Sequence, residues 1–134
     1  MITGMTQAPP PQVWPTFSAR DPRALIAFLV DAFGFEETVV YGEGDRVDHA
    51  ELSWPLGGGV MLGSSSASTT PGAFHAYVVC DDPDELLARA VKNGAVAVAE
   101  LHDTDYGSRD FAVLDPEGNH WSFGTYRGHP RSTL

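Results

Sequence analysis

His49 and Glu51 stand two residues apart in the run His49-Ala50-Glu51-Leu52-Ser53, where polar and apolar residues alternate. Period-two alternation is the mark of a strand with one buried face, so the imidazole, the carboxylate and Ser53 point to one side and Ala50, Leu52 and Trp54 to the other. Such a pair supplies a base with its orienting partner, or two donors for a divalent metal. The plainer reading is a solvated strand face. We favour it over metal binding, because nothing later in the chain supplies a matching carboxylate. His75 and Tyr77 alternate likewise with Ala76 and Val78, and His120 and Ser122 with Trp121 and Phe123. The large aromatics suit a core, which turns His120 and Ser122 to the opposite face, with His75 and Tyr77 beside them. A single His in an apolar strand is more often a hydrogen-bonded interior residue than a ligand. Glu51 and His75 are therefore the candidates for acid–base work, and His49, Glu51, His75 and His120 the only set from which a divalent metal site could be assembled. We expect no cofactor.

Aromatic groups join these. Trp14 and Thr16 precede the first helix on the polar side of an alternating run, and Tyr106 lies in the Gly-flanked segment Asp105-Tyr106-Gly107-Ser108, which has no core period. Trp14, Tyr77 and Tyr106 either stack on an aromatic ligand or pack between sheet and helix, and Tyr106 is the best placed for stacking. Arg109 either clamps a ligand carboxylate or pairs with a nearby acid, and the internal pair is favoured in so acidic a chain. Asp115, Glu117 and Asn119 belong to Asp115-Pro116-Glu117-Gly118-Asn119, whose composition is that of a tight turn. Cys80 has Asp81 and Asp82 as neighbours, which disfavour a thiolate, so it reads as a structural thiol.

With 134 residues, 8 Lys and Arg against 18 Asp and Glu, and a formal charge of -10, the chain fits one globular domain and would be repelled by phosphate backbones and anionic membranes. A small molecule, aromatic or cationic, suits that field better than nucleic acid. One cysteine excludes an intrachain disulfide, and the sequence shows neither a basic-then-apolar leader nor a membrane-length apolar run. A cytoplasmic protein is expected.

The elements that must position these groups come in two similar sets. Asp21-Pro22 recurs as Asp82-Pro83, 61 positions on, and Leu25, Ile26, Ala27 and Val30 fall over Leu86, Leu87, Ala88 and Val91. In each set an Asp N-cap and a Pro at the first turn start a helix, and Gly34 or Gly94 ends it. The first module, residues 13–63, reads as a strand over 13–19, a helix over 22–33, and strands over 37–41, 47–54 and 60–63. A Ser/Thr-rich crossover, 64–72, carries no apolar anchor and is expected to be exposed. The second module, 73–126, repeats the order with strands over 74–79, 96–101, 111–114 and 121–126 and a helix over 83–93, where Glu85 completes a capping box with Asp82. Residues 1–12, ending in Pro9-Pro10-Pro11, form an extended arm, and 127–134 a tail. The fold class is α+β: two βαβββ modules in tandem.

This order, with the Asp-Pro helix starts and the closing run DYGSRDFAVLDPEGNHWSF, resembles the vicinal oxygen chelate superfamily of glyoxalases, bleomycin-resistance proteins and dioxygenases, over about Val13 to Tyr126. The resemblance implies sheets curled around a ligand cleft and a homodimer whose cleft takes modules from both chains. It also implies metal ligands on the first and last strands of each module, which here fall on or near Trp14, Leu62, His75 and Ser122. Only His75 is a good ligand for a divalent ion. The expectation is therefore a metal-independent small-molecule binding or resistance protein, with Trp14, Thr16, His49, Glu51, Leu62, His75, Tyr77, Tyr106, Arg109, His120 and Ser122 around the ligand. The alternative is an enzyme with an unconventional metal site or with metal-free acid–base chemistry on a small oxygenated substrate.

Overall fold

Proline and aspartate set the two helices, as the sequence predicts. The computed structural model describes residues 10–130. Asp21 accepts a hydrogen bond from the amide of Ala24 at the start of α1 (Pro22–Phe28), and Asp82 accepts from Glu85 at the start of α2 (Pro83–Lys92). α2 also carries Asp84 and Glu85 in its first turn and Arg89 and Lys92 in its last, the polarity that a helix dipole favours. α1 runs into a wider, π-helical turn, Leu29–Phe33, which ends at Gly34 with φ 94°. The wider turn shifts the helical phase and carries the Phe33 ring to within 5.4 Å of Trp121 and 4.9 Å of Phe123.

The strands are β1 (Thr16–Ala19), β2 (Glu36–Tyr41), β3 (His49–Ser53), β4 (Gly59–Ser64), β5 (His75–Val79), β6 (Val96–Asp103), β7 (Arg109–Leu114) and β8 (His120–Gly124). They form two four-stranded sheets in the orders β1-β4-β3-β2 and β5-β8-β7-β6, which do not close on each other. In each module the first strand runs parallel to the last, and the other pairs are antiparallel. Every strand's bounds differ from the sequence reading by one to three residues, and three of the shifts have a plain physical reason. β1 starts at Thr16 rather than at 13: Pro15 has no N–H to donate, and Val13 is 83% exposed rather than half-buried. β6 extends to Asp103, because pairing resumes beyond two bulges at His102↔Asp110 and Asp103↔Arg109. β8 stops at Gly124, after which the chain leaves the sheet. In the crossover, Ser64 belongs to β4 and bonds to Val47, while residues 66–70 are exposed and tied by Ser66–Thr69 hydrogen bonds.

Ala50, Leu52, Val60 and Leu62 of the first sheet and Phe111, Val113, Trp121 and Phe123 of the second lie in one hydrophobic cluster with Leu25, Leu29 and Phe33. The modules thus share a core made from the same alternate face of each sheet. Polar contacts pin the junction. The Trp54 indole N–H donates to the Val79 carbonyl at 2.8 Å, and Arg89 of α2 donates to the Asp31 and Val30 carbonyls of the π-helical turn at 2.8 and 3.1 Å. Both oxygens of Glu117, in the turn between β7 and β8, accept the Arg20 and Asp21 amides at 2.8 Å. The expectations for residues 1–9 of the arm and 131–134 of the tail fall outside the described residues.

Candidate functional site

With one face of each sheet in the shared core, the other face of each is left open as a shallow cup. On the first sheet that face presents Thr16 from β1, Met61 from β4, His49 and Glu51 from β3, and Tyr41 from β2, placed by the cross-strand pairs Thr16↔Met61, Glu51↔Met61 and Tyr41↔His49. His49 Nε2 lies 2.8 Å from Glu51 Oε2, and the Tyr41 ring stacks over the imidazole at 6.4 Å between centroids. A carboxylate so placed fixes the tautomer of its imidazole and leaves the other ring nitrogen for a ligand. Leu62 is a correction to the sequence reading: it is 3% exposed, inside the core, and Met61 takes the cup position. Residues 60–62 are Val-Met-Leu, apolar on both sides, so alternation there carries no phase.

On the second sheet His75 and His120 are register partners on the parallel strands β5 and β8, their rings 4.1 Å apart. The Nδ1 atom of His120 is shielded from solvent and has no hydrogen-bond partner among the described residues. Tyr77 pairs with Ser122, and its hydroxyl reaches across to donate to the Tyr126 carbonyl at 2.6 Å. Burial foremost raises the Tyr77 phenol above its ordinary pKa, against a smaller opposing pull from Ser108. Beyond Ser122 lie Gly124 and, across the ladder, Asp110, which accepts from Ser108 and from the Tyr106 hydroxyl.

Several predicted site residues sit elsewhere. Trp14 precedes β1, its indole N–H donating to the Pro11 carbonyl and its ring lying against Gly59 at the start of β4. Arg109 forms the internal pair, though its partners are Asp84 and Asp103 rather than the adjacent Asp110. Its two bonds hold the Asp84 carboxyl below the usual range and raise its own pKa further. Cys80 is buried, and burial, with Asp81 next, pushes its thiol up to about 11, so it stays protonated at neutral pH. Asp115 accepts from the amides of Glu117 and Asn119, the Asn119 side chain and the Trp121 indole, which makes the turn a structural hub.

The first cup's His49–Glu51 pair and the second cup's His75–His120 pair do not converge. Among the described residues no group of three or more His, Cys, Asp and Glu side chains is arranged to hold a metal. The donor chemistry of the positions implied by family resemblance also does not fit a metal centre within one chain: an indole engaged by the arm, a core Leu62, a hydroxyl at Ser122 and one imidazole. Two clefts flank the junction instead. One, of about 400 Å³, is lined by Phe35, Trp54, Val60, Tyr77 and Trp121, and the other, of about 530 Å³, by Thr16, Phe17, Ser64, Thr69 and Phe74. Sequence reasoning missed Tyr41, Met61, Asp110 and Tyr126 on the cup faces.

No helix among the described residues is long and apolar enough to cross a membrane. In comparison with known proteins, the chain is 32% identical over 127 residues to an uncharacterized protein of Mycobacterium tuberculosis (strain ATCC 25618 / H37Rv), covering 85% of this chain and 74% of that protein. The crystal structure of TioX from Micromonospora sp. ML1 superposes with a TM-score of 0.70 at 30% identity, over 81% of this chain and 93% of that one. TnmS3, described as an antibiotic binding protein from Streptomyces sp. CB03234, shares the fold with a TM-score of 0.67 at 20% identity, over 84% and 93% of the two chains. The family model for the Glyoxalase/Bleomycin resistance protein/Dioxygenase superfamily matches residues 13–123, nearly the whole two-module body, and the chain belongs to that superfamily.

Proposed function

We propose that this chain is a metal-independent small-molecule binding or resistance protein of the bleomycin-resistance type, sequestering an aromatic or cationic natural product. It acts in this reading as a cytoplasmic homodimer, in which each cup of one copy faces the other module's cup in the second copy. The observation that carries the reading is the make-up of the cups: aromatic and hydroxyl surface with scattered imidazoles, and no convergent donor set among the described residues. Flat apolar walls with a few polar groups are what a small-molecule site requires. The fold shared with TnmS3, itself described as antibiotic binding, supports the same reading. The test is titration calorimetry of the chelator-treated protein against a panel of aromatic and cationic antibiotics, with protection of cells that express it. Saturable binding that is indifferent to chelator is expected. A panel with no saturable ligand and no protected strain would end the proposal, and sedimentation showing only monomer at binding concentrations would end its dimeric part.

A second reading is favoured by the 2.8 Å His49–Glu51 contact, which makes a base with its orienting carboxylate. It is an enzyme acting on a small oxygenated substrate, with Glu51 of one copy and His75 of the copy whose cup faces it, or His49 with its partner, exchanging a proton. Metal analysis divides its two versions: stoichiometric Zn, Ni, Mn or Fe that is lost on His75→Ala would favour a metal enzyme, and metal-free protein with turnover the acid–base form.

A further inference from the structure

Three tyrosines and one carboxylate gather at the end of the second cup that lies away from His75 and His120. Gly124 lies four residue steps from His120 along β8, so the two ends are about 13 Å apart along the strand. Asp110 Oδ1 is engaged by the Ser108 hydroxyl, while Oδ2 has only the Tyr106 hydroxyl at 3.4 Å, the limit of a useful hydrogen bond. A carboxylate offers about four acceptor positions, so Oδ2 keeps acceptor capacity. No Lys, Arg or His pairs with it among the described residues: Arg109 is held by Asp84 and Asp103, and Arg127 by Asp81. Gly124 is what gives Asp110 this place, because a Cβ there would overlap Asp110 Oδ1 and come within 2.8 Å of the Tyr77 hydroxyl.

The aromatic groups around the carboxylate form a corner. Tyr106 and Tyr126 meet edge to face, with centroids 5.5 Å apart and planes at 79°, and they remain 61% and 38% exposed. Tyr77 spends its hydroxyl on the Tyr126 carbonyl and leaves its ring on the cup, 45% exposed. Aromatic faces at right angles beside an unpaired carboxylate are the surroundings that an organic ammonium group prefers, since ring quadrupole and carboxylate both attract the charge while the rings cover its carbon substituents. A planar guanidinium would want both carboxylate oxygens, and Oδ1 is already occupied; a compact ammonium needs only one. The net charge of -10 concentrates such cations near the protein.

We propose that this corner is the amine-recognition end of the cup, where Asp110 Oδ2 pairs with a protonated amine of the ligand and Tyr77, Tyr106 and Tyr126 pack on the carbons beside it. The proposal rests on the binding reading above and narrows its ligand class. It is tested by calorimetry on the full chain with phenethylamine and its neutral isostere phenethyl alcohol. The amine should bind saturably and at least about tenfold more tightly than the alcohol, with the preference falling as salt is added. Asp110→Asn, which keeps an acceptor for Ser108, should abolish the preference by weakening the amine far more than the alcohol. Tyr106→Ala, at an exposed position that cannot unfold the core, should weaken the amine by about tenfold. Equal binding of amine and alcohol, no binding of the amine, or a preference that survives Asp110→Asn would overturn the assignment. A neutral antibiotic bound in the same protein without any amine preference would sink this inference and leave the binding reading standing.

Discussion

Asp115 shows what one buried carboxylate does for this chain. It is 5% exposed and gathers four donors, two amides of its own turn, the Asn119 side chain and the indole of Trp121, a side chain in the middle of the core. Asn119 is itself buried and accepts the Phe74 amide at 3.0 Å, so the same hub ties the start of β5 to the turn. Replacing Asp115 by Ala would leave these donors without a partner, and hydrogen bonds to a charged acceptor are worth more than neutral ones. Asp115→Ala should therefore lose about 3 kcal/mol or more of stability in urea unfolding, and Asp115→Asn clearly less, since it keeps one oxygen. Equal losses in the two variants would show that the charge-assisted bonds are not the cause. The sequence identifies Asp115-Pro116-Glu117-Gly118 as a turn from its composition alone. It does not show that the carboxylate reaches Trp121, because a contact six residues away depends on how the following strand returns.

At the scale of elements, the second sheet works because β8 alternates size as well as polarity. Trp121 and Phe123 fill the core, while Ser122 and Gly124 leave room on the cup face. Gly124 has an ordinary backbone, so the restriction is spatial: its missing Cβ is the room in which Asp110 and the Tyr77 hydroxyl meet. Gly124→Ala should cost about 2 kcal/mol in thermal or chemical unfolding, the usual penalty for overfilling a packed site, and should break the Tyr77 bond to Tyr126. A variant as stable as the parent, with an unchanged Tyr77 environment by NMR, would contradict this. Alternation made the faces of β3, β5 and β8 legible in the sequence. It failed on β4, where Met61 and Leu62 are both apolar, and on β1, where Trp14 and Val13 continue the pattern past a proline that ends the strand.

Across the whole molecule the two modules are held as one body by apolar packing and by a few polar clasps of definite geometry. Phe17 of β1 stacks on Phe74, just ahead of β5, with centroids 4.2 Å apart, and Trp54 reaches Val79 from the opposite module. Glu117 is the most telling clasp, since its two oxygens take the amides that lead into α1, where a negative charge also suits the helix dipole. Its side chain is only 8% exposed. Glu117→Ala should cost about 2 kcal/mol, and hydrogen exchange should show lost protection at Arg20 and Asp21 before any change in β7. Uniform loss of protection across both modules would mean that the clasp has no local role.

The sequence by itself determines the two βαβββ modules, their helix starts and the alternating faces of β3, β5 and β8. Each of these rests on local chemistry: a capping carboxylate, a proline's fixed angle, a period of two. Only the tertiary structure decides which faces meet. The modules join through the sides that carry Leu52, Leu62, Trp121 and Phe123, which leaves His49 and Glu51 on one open cup and His75, His120 and Asp110 on another. That choice depends on the summed burial of aromatic surface from distant segments, with Phe33 against Trp121 and Phe17 against Phe74, and no local pattern encodes it. It is also what separates the histidines that a linear reading placed together and assembles the Asp110–tyrosine corner that it did not foresee.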